Sequence, residues 1–168
     1  MRINIVFSSL TGNTKKVAYE ILKMMPKDTK IYDLKELDRE LEDEVLILGY
    51  WVDRAKPNKE MYNFMEGLQG KKIITFGTLG AYPDSEHANE TKENVTKLLA
   101  ENNQVLGNFL CQGKIDPKLT EMFKNGGGKM AHAMTPERLK RHEDAAKHPN
   151  EEDFNNARAF IQAIMNNL

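Results

Sequence analysis

The sequence predicts an α/β fold. Five parallel strands lie in the order 2-1-3-4-5, doubly wound, with helices on both faces of the sheet. Three observations predict it. Short apolar runs alternate with amphipathic helical stretches, the pattern of a parallel sheet with right-handed crossovers. Residues 45–51 form a continuous apolar run, as in strands covered on both faces. The first strand leads into a hydroxyl- and glycine-rich turn, Ser8-Ser9-Leu10-Thr11-Gly12-Asn13-Thr14, which opens a helix. In this strand order a ligand crevice lies at the carboxyl ends of strands one, three and four.

The elements follow in order. Residues 3–7 read as strand one and 15–25 as an amphipathic helix, with Pro26-Lys27-Asp28 a turn. Residues 30–34 are a short, polar, edge-like strand. The charged connection 35–44 is a solvated face, with Leu37 and Leu41 on a short helical turn. Strand three, 45–51, runs into a loop at 52–58 and a helix at 59–68, with Met61, Phe64, Met65 and Leu68 on one side. Strand four is 72–76, followed by a turn-rich loop at 77–84. A long helix at 85–102 turns Thr91, Val95, Leu98 and Leu99 inward. Strand five is 104–110, extended by residues 111–116. Pro117 opens a short helix to Lys124, which Asn125 and three glycines break. Thr135 caps the next helix, His148-Pro149 ends it, and Asn150 caps the last, with its apolar stripe from Phe154 to Leu168.

Composition narrows the function. The 168 residues suit one domain, 1–168, in which 117–149 is an extra segment before the final helix. Hydrophobic residues make up 40% and charged residues 29%, so the chain is globular. A net charge of −1 argues against a nucleic-acid binder. With Cys111 alone no intrachain disulfide forms, and a reducing compartment is expected. The chain starts in a strand without a signal-peptide pattern, and no apolar run approaches a membrane span. The expected setting is the cytoplasm, without membrane or nucleic-acid partners, as a monomer.

The turn after strand one is built for an anion. A helix's first turn leaves backbone N–H groups unpaired, and its dipoles place partial positive charge there. Ser9, Thr11 and Thr14 add hydroxyls, Asn13 an amide, and Gly12 lets the backbone turn. Together they suit a phosphate monoester. The same residue types are also ordinary N-caps. G-x-G-x-x-G and the closing G-K-[ST] of a Walker loop are both absent. The stretch resembles the phosphate loop of flavodoxins, T/S-x-T-G-N-T, which implies a flavodoxin-like fold and non-covalent FMN. Leu10 stands where that pattern often has a second hydroxyl. Its backbone N–H can still donate, so weaker phosphate binding is expected.

The resemblance extends to two more loops. Gly49-Tyr50-Trp51-Val52-Asp53-Arg54 holds the only Trp. In flavodoxins this loop supplies an aromatic to a ring face, which implies Trp51, with Tyr50 the alternative. The loop at 78–83 is similar to the second flavin loop: Tyr82 is the candidate for the other ring face, and Thr78, Leu79 and Gly80 offer backbone groups to the ring edge. Many flavodoxins carry Gly directly after the first aromatic, where a peptide can flip toward the flavin. Val52 holds that position here, and a β-branched residue is poorly tolerated at positive φ. Weaker semiquinone stabilisation is therefore expected. Arg54 and Lys56 either face the flavin rim or are solvated loop charges.

The implied function is electron carriage between a reductase or ferredoxin-type donor and an acceptor redox enzyme. G-T-L-G-A-Y-P-D-S-E-H-A and C-Q-G-K-I-D resemble a flavodoxin-like subfamily accompanying reductases of linear tetrapyrroles, which implies a bilin reductase as acceptor. An FMN-dependent NAD(P)H or quinone reductase is the enzyme alternative. A flavin-free regulatory domain is the third, though a phosphoacceptor would need acids where Ser8-Ser9 and Tyr50-Trp51 stand. Cys111 reads as a buried thiol, the four histidines show no metal spacing, and Lys140-Arg141-His142 is a small basic cluster. The methionine-bearing stretch 129–134 has no assigned role.

Overall fold

A computed structural model describes residues 1–125 and 134–168. The glycine break and most of the methionine-bearing stretch, at 126–133, lie outside the described residues. The sheet contains β1 (Ile3–Phe7), β2 (Lys30–Asp33), β3 (Val45–Asp53), β4 (Lys56–Pro57), β5 (Lys72–Leu79) and β6 (Gln104–Gln112). Its order is β2-β1-β3-β5-β6, all parallel, with the two-residue β4 pairing only to β3. Leaving β4 aside, this is the expected 2-1-3-4-5 order.

Period-two alternation divides the core between the two faces. Ile5, Phe7, Ile47, Ile74 and Phe76 pack with α1 (Asn13–Leu22) and α6 (Glu151–Met165). Val6, Leu46, Leu48, Tyr50 and Ile73 pack with α2 (Lys59–Glu66) and α3 (Glu86–Ala100). Both faces being covered explains why β3 reads as an unbroken apolar run. Two glycines permit close approach. A Cβ on Gly49 would lie 2.2 Å from the Phe76 ring, and one on Gly107 would lie 2.8 Å from Phe160 of α6. Arg158 of α6 also reaches Glu20 of α1 at 2.5 Å.

Helix caps follow the sequence. Ser85 accepts from Ala88 N–H and Thr135 from Arg138 N–H, and Asn150 forms a reciprocal box with Asp153. α4 (Pro117–Lys124) and α5 (Pro136–Ala145) both start on proline. Leu37 and Leu41 are not on a helical turn; a 3-10 turn occupies Leu34–Glu36, and both leucines rest on the α2/α3 core.

The region expected as a loop at 52–58 is instead a hairpin. Val52 pairs with Pro57 and Asp53 with Lys56, antiparallel, around Arg54 at φ 51° and Ala55 at φ 59°. Positive φ at both central residues makes a type I′ turn, which suits the strand twist but normally takes Asn or Gly. With no glycine there, the sequence carries no hairpin signal. Asn94 of α3 donates to the Ala55 carbonyl at 2.8 Å and holds the turn down. Left-handed backbone costs a non-glycine residue about 1 kcal/mol. Arg54→Gly is therefore expected to raise stability by about 0.5–1 kcal/mol in urea unfolding.

Candidate functional site

A cleft of about 270 Å³ opens at the carboxyl ends of β1, β3, β5 and β6. The turn after β1 forms one wall. Ser9 Oγ accepts from Gly12 N–H at 3.1 Å and from Lys15 N–H at 3.3 Å. With two amides on its oxygen, the hydroxyl still has its own proton to donate. Gly12 sits at φ 99°, which L side chains rarely adopt. It starts α1 with no side-chain cap. Among the described residues, no hydrogen bond takes up the amides of Leu10, Thr11, Asn13 or Thr14. Thr14 Oγ1 meets Thr78 Oγ1 at 2.9 Å, a buried contact joining α1 to the end of β5. Asn13 is turned to another task. Its Nδ2 donates to the Lys114 carbonyl at 2.8 Å and packs where a Gly113 Cβ would lie.

Asn58 ties the first wall to the second. It is fully buried. Its Nδ2 donates to Ser8 Oγ at 2.8 Å and to Glu60 Oε2 at 3.0 Å. Its Oδ1 accepts from Trp51 N–H at 3.3 Å, and its own N–H donates to the Trp51 carbonyl at 2.9 Å. Trp51 is half-buried and lines the cleft with Val52 and Asp53. The hairpin register makes Asp53 and Lys56 the hydrogen-bonded pair closing the turn. The peptide between Val52 and Asp53 is thus fixed in a ladder.

β5 lies between β3 and β6 and supplies Thr78, Leu79 and Gly80 as the floor between two walls. The third wall is Gly113, Lys114, Ile115 and Asp116, with Leu119 of α4. Sequence reasoning missed it. The C-Q-G-K-I-D string was visible, but nothing in it marks a site. Its backbone is tied in by Gly113 N–H to the Leu79 carbonyl at 2.8 Å and by buried Gln112 to the Gly80 carbonyl at 3.1 Å.

Of the expected site residues, Ser9, Leu10, Thr11, Asn13, Thr14, Trp51, Val52, Asp53, Thr78, Leu79 and Gly80 line this cleft together. Gly12 contributes its backbone conformation. Tyr50 does not reach the cleft. It is fully buried in the α2/α3 core against Gly77, its hydroxyl lacks a well-formed hydrogen bond, and burial pushes the phenol well above its usual pKa. Tyr82 lies off the cleft as well, because its hydroxyl donates to Asp144 Oδ2 of α5 at 2.8 Å. It lines a neighbouring cavity instead. Arg54 and Lys56 are exposed on the hairpin and do not line the cleft. Cys111 is buried, which raises its thiol pKa far above the free value. Among the described residues no group of His, Cys, Asp and Glu is placed to hold a metal, and no helix is long and apolar enough to cross a membrane.

One histidine near the site carries a pH dependence. His142 of α5 is buried, with Nδ1 at 2.8 Å from Thr120 Oγ1 and its ring edge-on to Phe123. Burial first, then the cations Arg141, Lys124 and Arg138, hold its pKa below 6.5. The unfolded chain therefore takes up this proton at a higher pH than the folded one. Its contribution to stability is complete above about pH 6.5 and is lost as pH falls through that value. Thermal melts between pH 7.5 and about 5.5 should show this fall, and His142→Gln should flatten it.

Comparison with known proteins fits this architecture. The flavodoxin domain model matches residues 4–162. The flavodoxin-like domain-containing protein BilS of Clostridioides difficile (strain CD3) is 33% identical over 176 residues, covering 98% of this chain and 97% of the relative. A BilS of Clostridium symbiosum (strain WAL-14163) is 27% identical, covering 74% of this chain and 75% of its own. Oxidised flavodoxin 2 from Bacillus cereus superposes over 100% of both chains with a TM-score of 0.64 at 18% identity. From its matched residues and its full-length relative, the chain belongs to the flavodoxin domain family.

Proposed function

We propose that this protein binds FMN in the cleft and carries electrons between two redox proteins. The observation that carries the reading is the turn after β1. It presents four unpaired amides together with the hydroxyls of Ser9 and Thr11, and no carboxylate from its own segment. That donor set suits a phosphate dianion at a helix start. FMN supplies the redox chemistry by taking up and releasing electrons. The chain's residues bind and shield it. Trp51 would cover one side of the ring, and Ile115 and Leu119 would cover the side for which the resemblance implies Tyr82. Asn58 and the hairpin hold the Trp51 and Val52 backbone rigid around it.

A carrier must also present its cofactor to partners. Leu10 is 67% exposed and Leu119 44%, both on the cleft wall. Apolar side chains open to solvent beside a redox site suit transient docking of another protein. For the acceptor we propose a bilin-reducing enzyme, the class implied by the motifs at 77–88 and 111–116. The near full-length match to BilS supports the same subfamily. Cytoplasmic residence, a monomeric state and a single domain spanning 1–168 belong to the same reading.

The carrier role is tested anaerobically with FMN-loaded protein. NAD(P)H alone should bleach the flavin slowly, and a catalytic amount of a flavodoxin reductase should make bleaching fast. Rapid bleaching by NAD(P)H alone would instead assign a stand-alone reductase.

A further inference from the structure

Beside the cleft lies a second cavity of about 540 Å³ that the carrier function does not use. Gly80 and Ile115 line both spaces and pack against each other between them. The second is walled by Ala81 and the Tyr82 ring on one side and by Arg138 and Arg141 of α5 on the other. Arg141 is half-buried, and its Nε has neither solvent nor acceptor. Among the described residues no carboxylate forms an ion pair with its guanidinium. Asp144, the acid on the same helix nearest the Tyr82 hydroxyl, is already engaged by Lys140 at 3.5 Å and Lys147 at 3.8 Å. Glu137 reaches the cavity only as an exposed rim residue.

An unpaired guanidinium that is partly withdrawn from water is costly unless an anion completes it. The guanidinium presents a flat donor edge that matches a carboxylate. Of the other lining groups, Ala81, the Tyr82 ring and Ile115 are apolar, while Ser85, His87 and Arg138 are polar. Ser85 caps α3 here and takes up the Ala88 amide, and the apolar groups beside Arg141 give the anion's body a surface that inorganic phosphate would not use.

We propose that the second cavity binds a small carboxylate with an apolar or aromatic body, its charge on Arg141 and its body against Tyr82 and Ile115. Gly80 and Ile115 would stand between that body and the flavin. This placement rests on FMN occupying the first cleft; the cavity itself does not.

The test titrates 2-naphthoate into FMN-loaded protein and into apoprotein by calorimetry, with 2-naphthylmethanol and inorganic phosphate as comparators. The expected result is saturable naphthoate binding to both forms and weak binding of both comparators. Arg141→Gln should weaken naphthoate about tenfold or more while FMN content is kept. Arg141→Lys, which keeps the charge and loses the fork, should fall between the two. It also serves if R141Q melts early. No binding of naphthoate up to millimolar concentration would overturn the proposal. So would equal binding of the alcohol or of phosphate, or an affinity unchanged in both variants. Naphthoate binding to protein that takes up no FMN would sink the flavin reading and leave this site standing.

Discussion

Asn58→Ala is expected to lower stability by about 3 kcal/mol or more, because it strands buried polar groups on two different loops. The side chain donates to Ser8 Oγ and accepts from Trp51 N–H within one buried position. Removing it leaves Ser8 without its donor and Trp51 N–H without an acceptor, and opens a void where the amide stood. The consequence for the site is larger than the consequence for the fold. Ser8 leads into the phosphate-cradle turn and Trp51 lies near the end of β3, so one side chain sets the spacing of two cleft walls. FMN affinity should fall about tenfold or more in N58A. Trp51, the only tryptophan, reports the change directly: its emission should shift to the red in the apoprotein. Equilibrium unfolding, FMN titration and the emission maximum check the three parts. Unchanged emission with lowered stability would mean that Asn58 supports the core and does not position the aromatic loop.

Gly49→Val is expected to be the most damaging single core change. The Phe76 ring occupies the space of the missing side chain, with Cζ 2.2 Å and Cε2 2.6 Å from an ideal Cβ. Phe76 is itself fully buried between β5 and the α1/α6 layer, so it has nowhere to swing. Overpacking of this kind costs about 3 kcal/mol or more once backbone shifts are needed. Gly49 also accepts from Ser8 N–H at 2.9 Å, so displacing β3 pulls the cradle turn with it. Loss of soluble protein, or a thermal midpoint many degrees lower, is the expected result. Phe76→Ala in the same background should recover part of the loss by making room. Failure of that rescue would mean that the strain lies in the β1–β3 pairing.

The parts of this molecule legible in the sequence are those encoded locally. The Ser9–Thr14 turn reads directly because its anion-binding groups are contiguous and sit at a helix start. The strands read directly because both faces of β3 and β5 are covered and their runs are apolar. Residues whose role depends on chain segments far apart were not legible. Tyr50 and Trp51 are neighbours, yet opposite faces of one strand send Tyr50 into the core and Trp51 toward the cleft. The alternation Leu46, Leu48, Tyr50 carried that signal. Tyr82 leaves the cleft because Asp144, 62 residues away, takes its hydroxyl. The wall at Gly113–Asp116 is placed by Asn13, 101 residues from its partner Lys114. The hairpin was hidden because Arg54 and Ala55 adopt a conformation their side chains disfavour.

The most direct test is a titration of FMN into apoprotein, followed by the emission of Trp51, with riboflavin as the comparator. An FMN site in this cleft predicts quenching of the tryptophan that saturates at about one FMN per chain, with riboflavin binding about tenfold or more weakly because it leaves the cradle amides without their phosphate. Tryptophan emission unchanged by FMN, or equal affinity for FMN and riboflavin, would contradict it.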